Sequence, residues 1–151
     1  MAAALRAALP GVLIGPSHEV CREWREYERT STAVINSYAS PVLKRYLAEL
    51  LDALRAKAET RLFLLQSNGG LMRAEDAGGR GILSLLSGPV GGNVAGRALS
   101  REAGLPNLIC IDMGGTSFEA SLVIDGESAV RNERDVGGFP FLSPMVDIHT
   151  I

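Results

Sequence analysis

Apolar positions recur along this chain with two different periods, and the expected element changes where the period does. From Leu43, the residues Tyr46, Leu47, Leu50, Leu51 and Leu54 follow at three- and four-residue steps, opposite Lys44, Arg45, Glu49, Asp52 and Arg55. That spacing lays one apolar stripe along a core-packing helix. From Leu108 the rhythm is different. An apolar run, 108–111, ends in Asp112, and Gly114-Gly115-Thr116-Ser117 follow. Phe118, Ala120, Leu122 and Ile124 then alternate up to Asp125-Gly126. The pattern predicts strand, glycine turn, strand, and a type I′ hairpin turn leading into another arm over 127–132.

Around these two landmarks the remaining elements are read from their punctuation. Residues 2–9 are strong helix formers that stop at Pro10-Gly11, and Val12-Leu13-Ile14 predicts a short strand ended by Gly15-Pro16. Ser17 offers a cap for the turn that follows. Residues 22–29 are dense in mixed charge and read as a solvated surface. Thr30 or Ser31 predicts the N-cap of a helix carrying Val34, Ile35 and Tyr38, and Pro41 predicts two helices or one sharp kink. The run RLFLL at 61–65 predicts a buried strand entering a turn at 66–70. Residues 76–81 read as a surface loop, and 82–86 as a strand or turn. Ser87-Gly88-Pro89 opens a helix through about Ala103, ended by Gly104 and Pro106. Gly88, Gly91, Gly92, Ala95 and Gly96 weaken that helix, so the sequence predicts a close contact that offsets them. Pro140 and Pro144 predict an irregular stretch after Val136.

Composition narrows the class. With 46% hydrophobic and 21% charged residues the chain is of the soluble globular kind, and at 151 residues it has one domain's worth of sequence. A formal charge of −2 supplies no polycation for nucleic acid or anionic lipid. No run reaches the roughly 18 apolar residues of a membrane span. Arg6, Pro10 and Gly11 interrupt the apolar start, which reads as a helix rather than a signal peptide. Cys21 and Cys110 form no framework, Cys110 sits in an apolar run where a packed thiol is expected, and a reducing, cytoplasmic location is the expectation.

The chemistry concentrates at residues 112–117. Successive glycines permit positive φ and remove side chains that would hold a ligand away, so several N–H groups can converge on one anion. Thr116 and Ser117 add hydroxyl donors, and Asp112 is a carboxylate able to hold magnesium. The same residues also describe a plain β-hairpin, and both readings stand at this point. Asn68 and Gly69 end the 61–65 strand. In an open α/β sheet, turns at strand ends share a cleft, although Asn68 equally suits a purely turn-making role. Asp147 and His149, two apart in an extended segment, point to one side. They are too few to identify a metal site, and a structural hydrogen bond is the expected use.

Asp112-Met113-Gly114-Gly115-Thr116-Ser117 resembles the second phosphate loop of the hydantoinase/oxoprolinase family, a branch of the actin-like ATPases. SHEV at 17–20, REYERTST at 25–32, QSNGGL at 66–71, LLSGPVGG at 85–92 and VDIHT at 146–150 resemble the same family in the same order. The resemblance implies an α/β fold of the actin-like, ribonuclease H-like type: one incomplete ATPase lobe with a mixed sheet, flanking helices, and the small-residue helix lying between lobes. It implies a single partial domain over 1–151 without the first phosphate hairpin or the adenosine loop, the central piece of a two-lobed protein that is inactive alone. It implies ATP and Mg²⁺ as cofactors and ring opening of a cyclic amide such as a hydantoin or 5-oxoproline. A second, B-type subunit or domain is implied as partner, and self-association into a homo-oligomer is a further expectation. Asp112 then takes the magnesium and catalytic role, Gly114 and Gly115 cradle phosphate, Thr116 and Ser117 contact it, and Asn68 and Gly69 lie in the same cleft. Glu119 stands where the family usually has Asp. Ketone-carboxylase subunits, sugar- or acetate-kinase relatives and a non-catalytic docking fragment are the alternatives.

Overall fold

The computed structural model describes residues 1–150. In chain order the helices are α1 (Ala2–Ala8), α2 (Ser17–Val20), α3 (Glu26–Arg55), α4 (Ala74–Ala77) and α5 (Val90–Ala103). The strands are β1 (Phe63–Leu65), β2 (Leu71–Arg73), β3 (Leu108–Met113), β4 (Phe118–Ile124), β5 (Glu127–Ser128), β6 (Val130–Val136), β7 (Phe139–Val146) and β8 (Ile148–Thr150). Strands β1 and β2 pair with each other, as do β6 and β7, while β3, β4, β5 and β8 form a four-stranded sheet. The chain divides into two compact units. The first comprises Met1–Leu64, Met72–Leu83 and Glu133–Ser143; the second comprises Leu65–Leu71, Ser84–Asn132 and the residues from Pro144 on.

The first unit is built on α3. Its C-terminal half follows the predicted stripe except at Tyr46, which is exposed: Leu47 and Leu51 are buried with Met72, Ala74 and Ala77, and Leu43, Leu62, Leu64 and Leu83 pack around them. Its N-terminal half departs from the prediction. The helix begins at Glu26, after Arg25 in the left-handed region (φ 74°), and runs through Pro41 without a break. Thr30 and Ser31 are therefore interior residues rather than caps, and Thr30 donates to the Glu26 carbonyl (2.6 Å). Val34 and Tyr38 are exposed, whereas Thr32, Asn36 and Ser40 are fully buried.

That inversion has a hydrogen-bonding cause. Thr32, Asn36 and Ser40 lie four residues apart on one helical face, and each serves backbone arriving from elsewhere in the unit. Thr32 Oγ1 accepts from the Leu142 amide (2.9 Å). Asn36 donates to the Gly79 carbonyl (3.1 Å) and accepts from the Ile82 amide (3.1 Å), and Ser40 Oγ accepts from the Gly81 amide (3.0 Å). A β-carbon at Gly81 would stand 2.9 Å from the Ser40 backbone nitrogen, so only glycine fits there. Residues 76–81, expected as a surface loop, are instead the end of α4 and the entry to a 3-10 turn (Gly81–Ser84), which takes the turn alternative for the stretch after 81, with Ala77, Gly81 and Ile82 buried. Val12-Leu13-Ile14 forms no strand, since no neighbouring strand offers a ladder. The stretch around Pro140, expected to be irregular, is the β6–β7 hairpin. It turns at Gly137 and Gly138, both at positive φ. Arg25 joins Glu28 and Glu133 (2.7 Å to the latter). The hydrogen bond to Glu133, then that to Glu28, holds the guanidinium further on its charged side.

In the second unit β4 is central. Antiparallel β3 lies on one edge, with pairs from Leu108↔Val123 to Met113↔Phe118, and β5 and β8 pair antiparallel with β4 elsewhere. Asp125 (φ 52°) and Gly126 (φ 78°) make the predicted type I′ turn. Helix α5 ends at Gly104 (φ 67°) as its sequence requires. It packs on the sheet through Asn93, which donates to Ser121 Oγ (3.0 Å) and the Leu122 carbonyl (3.3 Å) and accepts from the Ser128 hydroxyl. The predicted close approach falls at Gly96, where a β-carbon would lie 2.2 Å from Cys110 Sγ. Val90, Val146 and Ile148 form the core with Leu65 and Val94. Among the described residues no helix is long and apolar enough to cross a membrane, and both cysteines are free.

Candidate functional site

The alternation along β3 decides where its chemistry points. Leu108, Cys110 and Asp112 share one face, and Cys110 meets Gly96 of α5 there. Asp112, at the end of that face, lies opposite Glu119 of β4 in the ladder. The two carboxylates line one groove of about 280 Å³, together with Gly92, Asn93 and Gly96 of α5. Small residues on the helix thus leave open space beside a carboxylate pair. The other face of β3 presents Ile109, Ile111 and Met113, all exposed.

Beyond Met113 the chain turns at residues 114–117, closed by one hydrogen bond from the Gly114 amide to the Ser117 carbonyl (3.0 Å). Among the described residues the amides of Gly115, Thr116 and Ser117 have no hydrogen-bond partner. Neither Gly114 nor Gly115 adopts positive φ, contrary to the expectation from the glycine pair. What the glycines provide is room. A β-carbon at Gly115 would meet nothing within 4 Å, and one at Gly114 only the Ser117 carbonyl at 3.7 Å. Unpaired amides next to open space, flanked by the Thr116 and Ser117 hydroxyls, can accept an anion from solvent.

Asn68 and Gly69 lie in the same unit but not along the groove of Asp112. Their groups are engaged in their own turn. Asn68 Oδ1 accepts from the Gly70 amide (2.8 Å), the Gly70 carbonyl accepts from the Gln66 amide (2.7 Å), and Gly69 sits at φ 85°. A β-carbon at Gly69 would come 3.2 Å from Val94 of α5. Asp147 accepts from Arg131 Nε (2.6 Å), with His149 Nε2 3.8 Å away on the same side. Among the described residues no group of three His, Cys, Asp or Glu side chains is placed to hold a metal ion. The carboxylates of Asp112 and Glu119 are the pair that the hairpin brings to one place.

Of the residues that hold this arrangement, Gly96 belongs to the small-residue run for which the sequence predicted a close contact, whereas Asn93 was not singled out. Asn93 ties α5 to β4 and β5, and Gly96 sets the separation of α5 from β3. An asparagine within a helix otherwise marked by small residues was the available signal.

Comparison with known proteins gives a consistent result. The family model described as Hydantoinase/oxoprolinase matches residues 29–151. Caprolactamase subunit alpha of Pseudomonas jessenii is 39% identical over 152 residues, covering 99% of this chain and 22% of that protein. The 5-oxoprolinase of Saccharomyces cerevisiae is 34% identical over 139 residues, covering 89% of this chain and 10% of that protein. The crystal structure of the ATP-dependent caprolactamase from Pseudomonas jessenii superposes with a TM-score of 0.77 at 36% identity, over 99% of this chain and 22% of that one. The chain thus spans about a fifth or less of these relatives.

Proposed function

Because the chain belongs to the hydantoinase/oxoprolinase family, we propose that it forms the phosphate-binding lobe of an ATP-dependent enzyme that activates the carbonyl of a cyclic amide for ring opening. The observation that carries the proposal is the turn at 114–117: three amides without internal partners, open space at Gly115, and carboxylates at the adjoining strand ends. Family membership and the named activities of the relatives supply the reaction class.

The donor set suits Mg-ATP. Magnesium is commonly held by one or two carboxylates, with phosphate oxygens and water completing the shell. Asp112 is assigned to that shell, with Glu119 opposite it as the second carboxylate. The amides of Gly115, Thr116 and Ser117, with the two hydroxyls, are assigned to phosphate oxygens. ATP would supply the phosphoryl group that turns the amide oxygen into a leaving group, and positioning with charge stabilisation is what such a transfer asks of the protein. The substrate is a small cyclic amide and the partner a second, B-type subunit, by analogy with a relative that is itself named as a subunit.

Calorimetric titration of Mg-ATP into the intact protein tests this. Saturable binding is expected, and Gly115→Arg should abolish it, since the new side chain fills space where a β-carbon meets no protein atom. The same openness leaves the fold unstrained, so the loss reads ligand exclusion. Unchanged affinity in Gly115→Arg refutes the assignment. A docking role for the hairpin is the second reading, favoured by exposed Ile109, Ile111 and Met113. Co-purification with a larger partner, together with no ATP binding, would establish it instead.

A further inference from the structure

The first unit contains a cavity of about 960 Å³ to which the β3–β4 hairpin contributes no residue. Cavities of this size are typical of small-molecule sites. Its charged lining is strongly biased: Arg6, Arg22, Lys44, Arg45 and Arg80 against Glu19 and Asp76. Arg6 is already committed, donating to Glu19 (2.9 Å) and to the Ile14 carbonyl (3.2 Å). Among the described residues Arg22, Lys44, Arg45 and Arg80 have no carboxylate within ion-pair distance. A chain whose net charge is −2 therefore gathers unpaired positive charge into one concavity.

These cations come from separate stretches: the segment after α2, helix α3, and the approach to the 3-10 turn. Lys44 is held in place because its stem packs on Gly78, where a β-carbon would lie 3.0 Å from Lys44 Cγ. A further wall is the segment that the sequence predicted as a strand. With no ladder to join, the amides of Leu13, Ile14 and Gly15 make no hydrogen bond among the described residues, and all three residues line the cavity. Clefts lined by one sign of charge concentrate counter-ions. Guanidinium groups and free amides bind carboxylate or phosphate oxygens through charge-assisted hydrogen bonds.

We infer that this cavity binds a small polyanion carrying two or more carboxylate or phosphate groups, held by Arg22, Lys44, Arg45 and Arg80 and by the amides of residues 13–15. Four cations unpaired among the described residues line the cavity, more positive charge than one carboxylate or phosphate group balances, which favours a ligand with more than one anionic group. The site does not depend on nucleotide binding at the hairpin.

The test uses the intact protein at low ionic strength, titrated calorimetrically with pyrophosphate and, separately, with tricarballylate. One of the two probes should saturate at one equivalent, and which one does so identifies the ligand as phosphate- or carboxylate-bearing. Arg22→Glu combined with Arg80→Glu should weaken binding on the order of a hundredfold, from the loss of two charge-assisted contacts. Lys44→Gln should weaken it about tenfold on the same basis, and serves if the double variant does not match the parent circular dichroism spectrum. Gly115→Arg should leave it unchanged. Failure of both probes to saturate overturns the inference, as does binding that survives the charge reversals. Loss of binding in Gly115→Arg would assign the anion to the hairpin and equally overturn it.

Discussion

The separation of α5 from β3 is set at one atom pair, which makes Gly96 the sharpest place to perturb the groove of Asp112. A β-carbon there would stand 2.2 Å from Cys110 Sγ, with Cys110 Cβ at 3.7 Å and Val123 Cγ2 at 4.0 Å. Non-bonded heavy atoms meet at about 3.5–4.0 Å, so the shortfall in Gly96→Ala is ~1.5 Å. Either the thiol leaves its rotamer or the helix retreats, and overpacking of this kind costs about 1–3 kcal/mol. Against it stands the helix propensity gained on replacing glycine by alanine, about 0.8–1.0 kcal/mol. The net expectation is a loss of ~1 kcal/mol, a fall of about 2–4 °C in Tm for a chain of this size.

Two companion variants separate the terms. At Gly92, on the same helix, a β-carbon meets nothing within 4 Å, so Gly92→Ala should stabilise by about 0.5–1 kcal/mol from propensity alone. In a Cys110→Ala background the obstructing sulfur is gone, and Gly96→Ala should change sign and stabilise by a similar ~1 kcal/mol. Urea unfolding at constant m reads all three as shifts in midpoint. If Gly96→Ala stabilises the parent as much as Gly92→Ala does, the contact does not limit the helix, and the account of the small-residue helix fails.

Three further outcomes are expected. Asn36→Ala strands the Ile82 amide in a buried position, while the Gly79 carbonyl belongs to an exposed residue, and should cost about 2 kcal/mol in urea unfolding. Asp112→Asn should weaken Mg-ATP binding about tenfold while leaving magnesium-free ATP binding intact, read by calorimetry, from the loss of one charge-assisted contact. The hydrogen bond from Arg25 holds the Glu133 carboxyl below the usual carboxylate range; Glu75 is also lowered, first by its own backbone amide and then by Arg73 and Arg55. A depressed folded-state value stabilises above the unfolded pKa and is lost as pH falls through the folded one. Glu133→Gln should therefore flatten the acid limb of a stability profile below about pH 4.3, and leave its neutral-to-alkaline shape unchanged.

What the sequence disclosed and what it concealed divide along a physical line. The β3–β4 hairpin, the Asp125-Gly126 turn and the Gly104 cap were legible because each is decided by neighbours in the chain: an alternation, a pair of residues tolerant of positive φ, a glycine after a helix. Thr32, Asn36 and Ser40 were not, because the groups that justify burying them arrive from residues 79–82 and from Leu142. Read locally, Val34 and Tyr38 are the apolar residues of that turn and claim the core. In the fold, giving it to them would leave the amides of Gly81, Ile82 and Leu142 unmet, on the order of 6 kcal/mol at about 2 kcal/mol each. Pro41 stands between the Ser40 anchor and the buried Leu47 and Leu51, so the helix is held on both sides of it and continues through. At the candidate site the motif at 112–117 named its residues, but not why glycine stands at 114 and 115. Neither uses positive φ, and the turn's own backbone does not call for glycine there. Room rather than backbone geometry is what a side chain at 115 would remove, which is why an arginine placed there tests for a ligand and not for the turn.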